Sequence, residues 1–145
     1  MATVVNCAAY ENGRRVTDLD INKAIHSSEV AIAKGAISNR KILHTIPIEY
    51  KVDGMQVLGR PLGMKGSKIE VKTLFIAGLE HHIQDIIASL NEAGIEVEDI
   101  MAAPVAASFV TLSKTQKIAG CILANIGAET VSIAVFENNI PTSLE

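Results

Sequence analysis

Three stretches of this chain carry residue types that could do chemistry. The first is Gly59 to Lys68 (GRPLGMKGSK), with three glycines, a proline and three cations. Glycine backbone beside cations invites an anion, but the spacing is not G-x-x-x-x-G-K-[ST], and the residues that follow alternate like a strand. No helix N-terminus would therefore face a phosphate. The expectation is an exposed basic loop in which Arg60, Lys65 and Lys68 contact a protein partner. The second stretch, Asn125 to Thr130 (NIGAET), lies between two apolar runs. A glycine hairpin can wrap phosphates with backbone N–H groups, which makes Gly127 and Thr130 the cofactor-binding candidates. Yet Gly127 is the sole glycine there, and the Glu129 carboxylate would repel a phosphate, so an ordinary hairpin turn is expected. The third is His81-His82 at a helix start. Neighbours on a helix point about 100° apart, so these two rings are expected to diverge rather than share a metal, with Glu80 and Asp85 forming a hydrated face. His26 and His44 are isolated, and no Ser or Cys has a His and an acid at triad spacing. Glu96 and Glu98 suit the solvent side of a strand. No catalytic residue is assigned, no metal ligand is assigned, and no enzyme is expected.

The elements that must position these stretches follow from periodicity. Thr3 to Tyr10 reads as a strand closed by Glu11-Asn12-Gly13. Thr17 before Asp18 and Asp20 predicts a helix with a hydroxyl N-cap and acids in its first turn, where they oppose the positive end of the dipole. Ile21, Ile25, Ser28 and Ile32 form its apolar stripe, and Gly35 its stop. Arg40 to Val52 alternates as a strand. Pro47 removes a ladder donor there, which suits an edge or a bulge, and Asp53-Gly54 is a hairpin turn. Lys68 to Ala77 is the next strand, broken by Gly78. Leu79 to Leu90 follows as an amphipathic helix ending at Ala93-Gly94, and Ile95 to Ile100 as a further strand, together a βαβ or split βαβ unit. Pro104 to Leu112 is a short helix entered through proline. Lys114 to Lys117 is a polar break and the expected boundary. Ile118 to Ile126 and Thr130 to Phe136 form a hairpin, with Asn138-Asn139 turning into a third strand at Ile140 to Leu144. The expected class is α+β, with two helices on one face of a sheet, then a short helix and a β-hairpin.

Composition bounds what such a fold can do. In 145 residues, 48% are hydrophobic but only two Tyr and three Phe occur and no Trp, so an aliphatic core is expected and the composition argues against surfaces that stack nucleobases. A net charge of −3 gives no general field for phosphate backbones. Cys7 and Cys121 sit in separate apolar runs without a CxxC, which suits two reduced thiols and a cytoplasmic chain. The stretch MATVVNCAAYENGRR does not read as a basic n-region followed by an apolar h-region, and no run approaches the roughly 20 apolar residues of a membrane span, so a soluble chain is expected.

Several stretches together carry a resemblance. Val16-Thr17-Asp18-Leu19-Asp20-Ile21, His44-Thr45-Ile46-Pro47-Ile48-Glu49-Tyr50, Val52-Asp53-Gly54, Arg60-Pro61-Leu62-Gly63-Met64-Lys65-Gly66, Ile69-Glu70, Gly94-Ile95-Glu96-Val97 and Pro104-Val105-Ala106-Ala107-Ser108, with the hairpin, resemble the bacterial cell-division family FtsA. The resemblance implies an SHS2 subdomain, FtsA's 1C insertion, over about residues 1–100 and the start of actin-like subdomain 2A over about 101–145. It implies an internal piece of a protein that tethers FtsZ filaments to the cytoplasmic membrane and recruits later division proteins. In such a piece the work is contact with division proteins and other FtsA-like subunits, without nucleic acid or direct membrane contact, and homo-oligomers are compatible with it. The alternatives are a divergent relative such as the pilus-assembly adaptor PilM and an ATP-binding actin-like subunit. A full-length relative would take ATP and Mg²⁺ at the hairpin, where the family pattern is an acid, Ile-Gly-Gly-Gly-Thr and a second acid. Here Asn125, Ala128, Glu129 and Ser132 depart from that pattern, and Ile126, Gly127 and Thr130 keep it. No cofactor is expected for this chain.

Overall fold

A computed structural model describes residues 2–9, 14–35 and 39–145. The element order is β1 (Ala2–Ala9), α1 (Asp18–Gly35), β2 (Arg40–Val52), β3 (Met55–Val57), β4 (Lys68–Leu79), α2 (Glu80–Glu92), α3 (Ala103–Thr111), α4 (Lys114–Ala119), β5 (Cys121–Ile126), β6 (Val131–Glu137) and β7 (Ile140–Leu144). The class is α+β. The Glu11-Asn12-Gly13 turn and the Cys7 side chain lie outside the described residues. Two compact units are present. One holds Ala2–Ser38 and Thr45–Phe75, the other Asn39–His44 and Ile76–Glu145.

In the first unit, β1 pairs antiparallel with β4 from Ala2↔Phe75 to Ala9↔Lys68, and α1 lies against β1. Strand order is β1-β4-β2-β3, which makes β4 central. Its burial alternates through Ile69, Val71 and Thr73 and then turns continuous over Leu74 and Phe75, as a strand covered on both faces requires. Val16, Ile21, Ala24, Tyr50, Ile69 and Val71 form the core, with Ile25 packed on it. The stripe expected on α1 is thus the buried one, Ser28 included, whose hydroxyl donates to the Ala24 carbonyl. The helix start differs in detail from a hydroxyl cap. Thr17 donates both its N–H and its Oγ1 hydroxyl to Asp20 Oδ2, at 2.9 and 2.6 Å, so the N3 acid reaches back to the cap rather than the hydroxyl reaching forward. β3 covers β2 only at Tyr50, Lys51 and Val52, so Pro47 lies where β2 has no strand of β3 beside it, and its missing donor costs nothing on that side. Asp53 and Gly54 both have positive φ, 50° and 82°, the type I′ geometry that Asp-Gly favours.

In the second unit, β4 continues through Gly78 to Leu79 before α2 begins. Gly78 is therefore a strand residue, and a Cβ there would press on Ile83 Cδ1 at 3.0 Å. α2 ends in a Schellman motif: the Gly94 N–H donates to the Asn91 carbonyl, the Ile95 N–H to the Leu90 carbonyl, and Gly94 takes φ 78°. The strand expected from Ile95 to Ile100 does not form, so the βαβ unit is absent. Alternation alone cannot make a strand without a ladder partner. A groove of about 180 Å³ separates Val97–Ile100 from Lys41–Leu43 over Ile87, and the Ile100 N–H is taken by the Asp99 carboxylate instead.

Pro104 enters α3 as expected, and Pro104, Val105 and Ser108 are buried. Lys114 to Lys117 is not a break but the body of α4, nucleated by a capping box in which Ser113 Oγ accepts the Gln116 N–H and Gln116 Oε1 accepts the Ser113 N–H. Ile118 and Ala119 are consequently helical, and β5 starts only at Cys121, after Gly120 at φ 94°. β5, β6 and β7 form a three-stranded antiparallel sheet, its second turn made by Asn138 and Asn139 at φ 51° and 66°. Lys117 places its ammonium 5.1 Å from the Phe109 ring centre and 5.5 Å from that of Phe136, tying α3, α4 and β6 together. Among the described residues no helix is long and apolar enough to cross a membrane.

Candidate functional site

The basic loop joins β3 to β4 and is held more tightly than an exposed loop needs. The Val16 N–H donates to the Met64 carbonyl at 2.9 Å, Gly63 N–H to the Val16 carbonyl at 2.8 Å, and Gly66 N–H to the Arg14 carbonyl, while Arg15 and Lys65 form an isolated antiparallel bridge. Pro61 is fully buried, which anchors the loop from inside. Gly63, at φ 77°, makes the turn, and Gly66 is glycine because a Cβ there would collide with Val52 Cγ1. The far end is fastened by Asp53, whose Oδ1 accepts the N–H groups of both Ser67 and Lys68. The loop is exposed over most of its length, as expected, but it is not loose: Gly63, Met64 and Gly66 are bonded through their backbone to the segment Arg14–Val16.

The three cations behave differently. Arg60 Nη2 lies 3.3 Å from Asp18 Oδ1, and its guanidinium lies near the Tyr50 hydroxyl. Burial pushes that phenol above its ordinary pKa, an effect Arg60 opposes. Lys68 Nζ lies 2.6 Å from Glu70 Oε1. Lys65 is exposed and has no ion pair among the described residues. Asp20, nearly buried, is held below the ordinary carboxylate range chiefly by the hydroxyl and N–H of Thr17, with Arg14 at 3.9 Å adding attraction.

At the hairpin, Ile126 pairs with Val131, leaving a four-residue loop in which the Gly127 N–H donates to the Thr130 carbonyl at 2.8 Å. The structure thus brings the two candidates, Gly127 and Thr130, face to face, and spends Gly127's donor inside the loop. Glu129 is exposed on the same turn.

His81 and His82 do not diverge. Their ring centres are 4.1 Å apart, because the Cβ–Cγ lever lets adjacent rings lean together even where the Cα–Cβ bonds part. Sequence reasoning missed His44, whose Nε2 accepts the Ala102 N–H at 3.0 Å and so satisfies a donor at the entrance to α3. No sequence signal announces a partner 58 positions away. Glu96 and Glu98 are not on a strand, and Cys121 is a half-buried free thiol.

Similarity to other proteins now bears on the loop and the sheet around it. A family model described as the SHS2 domain inserted in FtsA matches residues 3–77, which include α1, the Asp-Gly hairpin and the clasped loop. The chain is 32% identical over 136 residues to cell division protein FtsA of Bacillus subtilis (strain 168), covering 94% of this chain and 30% of that protein. It is 33% identical over 125 residues to FtsA of Helicobacter pylori (strain 26695), covering 86% of this chain and 25% of that one. Against FtsA of Borreliella burgdorferi (strain B31) the figures are 27% over 128 residues, 88% and 30%. The chain therefore spans between a quarter and a third of the length of these relatives. With more than half of its residues inside the family model and the loop and turn chemistry accounted for there, the chain belongs to the FtsA family of bacterial cell-division proteins.

Proposed function

We propose that this chain is a non-enzymatic protein–protein interaction module of cell division, contacting other division proteins and FtsA-like subunits through the clasped loop and the neighbouring sheet edges. The observation that carries this reading is the loop itself: it is clasped through Gly63, Met64 and Gly66 to Arg14–Val16 and presents Lys65 and the rim cations Arg14, Arg15 and Arg60 at the surface. Cations so placed give orientation and on-rate more than raw affinity. In a longer protein of this family, the module would serve assembly of FtsZ filaments on the cytoplasmic face of the membrane. In this chain, residues about 1–100 would correspond to subdomain 1C, and the rest to the start of 2A.

The hairpin supports no nucleotide chemistry in this reading. Gly127's N–H is already committed to Thr130, and Glu129 adds like charge where a phosphate would sit. ATP with Mg²⁺ titrated into the chain is expected to give no saturable binding in the micromolar range.

Capture of a full-length FtsA relative by the immobilised chain tests the module. Lys65→Glu is the clean variant, because Arg60 and Lys68 also hold Asp18 and Glu70. Reversal at Lys65 should weaken capture and steepen with added reversal at Arg60. Capture unchanged in both variants would remove the loop from the interface.

A further inference from the structure

The loop carries a second property beside charge. Leu58 is 99% exposed, Leu62 55% and Met64 41%, and Leu19, which follows the Asp18 that pairs with Arg60, is 68% exposed. Four large aliphatic side chains are thus exposed on segments that the Val16–Met64, Gly63–Val16 and Arg60–Asp18 contacts bring together. They do not hang from a loose loop: Pro61 is buried between Leu58 and Leu62, and Val16, Gly63, Met64 and Gly66 bind the backbone on either side. Rigidly exposed apolar clusters with a polar rim are interaction surfaces more often than accidents.

The rim decides the kind of partner. Arg14, Arg15, Arg60 and Lys65 stand against Asp18, Asp20 and Asp53, of which Asp20 is turned inward onto Thr17 and Asp53 onto the N–H groups of Ser67 and Lys68. The border is therefore net positive. Strand addition at this loop does not fit, because Gly63, Met64 and Gly66 already bond Arg14–Val16 and the adjoining edge strand β3 is only three residues long. Recognition must go through side chains, and Leu with Met gives an adaptable apolar contact.

We infer that Leu19, Leu58, Leu62 and Met64 form a docking surface for an amphipathic helix of a partner protein, one with an aliphatic face and acidic flanks that meet Arg14, Arg15 and Lys65. The inference rests on the interaction-module reading and names the partner's chemistry. The probe is a fluorescein-labelled synthetic helix of Leu, Ala and Glu, leucines on one face, titrated into the full chain by anisotropy. A matched peptide with Lys for Glu is the comparison. The acidic peptide should bind, weaken with added salt, and bind about tenfold less well to the Leu58→Ser, Leu62→Ser double variant, both sites being exposed so that thermal unfolding is unchanged. Val110→Ser, an exposed aliphatic site on α3, should leave binding as it was. Equal binding of the Lys peptide, retention by the double variant, or loss with Val110→Ser overturns the inference. So does co-sedimentation with phosphatidylglycerol vesicles in the absence of peptide binding, which would make the surface a lipid contact. The two readings fail separately. Peptide binding lost in the double variant upholds the surface even when no FtsA relative is captured, whereas capture that survives the double variant upholds the module and overturns the surface.

Discussion

Replacing Thr73 by Val should stabilise this protein, and the reason is visible at one atom. Thr73 sits in the middle of β4, opposite Val4 of β1, with no solvent exposure, and its Oγ1 has no hydrogen-bond partner among the described residues. In the unfolded chain that hydroxyl is bonded to water. Burying it without a partner costs about 1–3 kcal/mol, which the folded state carries as a deficit. Valine keeps the branched shape that suits a strand and exchanges the hydroxyl for a methyl group, so no cavity opens and apolar contact is gained. A gain of about 1.5 kcal/mol on a urea slope of about 1.5 kcal/mol/M moves the unfolding midpoint up by about 1 M. The assay is urea denaturation of wild type, Thr73→Val and Thr73→Ser, followed by circular dichroism. Serine keeps the orphan hydroxyl and loses the methyl, so its midpoint should fall. A Thr73→Val midpoint below wild type at equal slope would show that the hydroxyl is satisfied and would refute the reasoning.

Acid should weaken the first unit through Asp20. Its folded pKa lies below the ordinary 3.8, so its contribution is complete above that value and is lost as pH falls through the folded pKa. Asp20→Asn keeps the acceptor and removes the charge. The stability difference between wild type and variant should be constant at neutral pH and shrink below 3.8, and a difference that grows on acidification would contradict the assignment. The β5–β6 face carrying Ile122, Ile126, Val131 and Ile133 is exposed and uncharged, so sedimentation velocity is expected to show self-association that Ile126→Asp abolishes. A strict monomer at high concentration would count against that outcome.

How much of this was legible depends on how local the cause is. The I′ turns at Asp53-Gly54 and Asn138-Asn139, the Gly94 helix stop, the α1 stripe and the proline entry to α3 depend on the conformational range of two or three residues, and each appears where the chain pattern places it. The α4 capping box was equally local: Ser113-x-x-Gln116 stands in plain view, but four polar residues conceal a helix from a reading based on apolar period. The Ile95–Ile100 strand failed for the opposite reason. Its alternation is genuine, but a ladder needs a partner edge at hydrogen-bonding distance, and a groove lies there instead.

The site divides in the same way. Residue types and spacing by themselves determined that Gly59–Lys68 is a glycine-turned, cationic loop, that Gly127 and Thr130 flank a tight hairpin, and that the core must be aliphatic. Only the tertiary structure decided which of the loop's groups remain for another molecule. Arg60 and Lys68 find Asp18 and Glu70, Pro61 goes inside, and Leu58 and Leu62 are left outside. The physical reason is that pairing and burial are properties of distance in space. Backbone bonds between Arg14–Val16 and Gly63–Gly66 join segments almost fifty positions apart, and no local pattern of charge or hydropathy encodes that meeting.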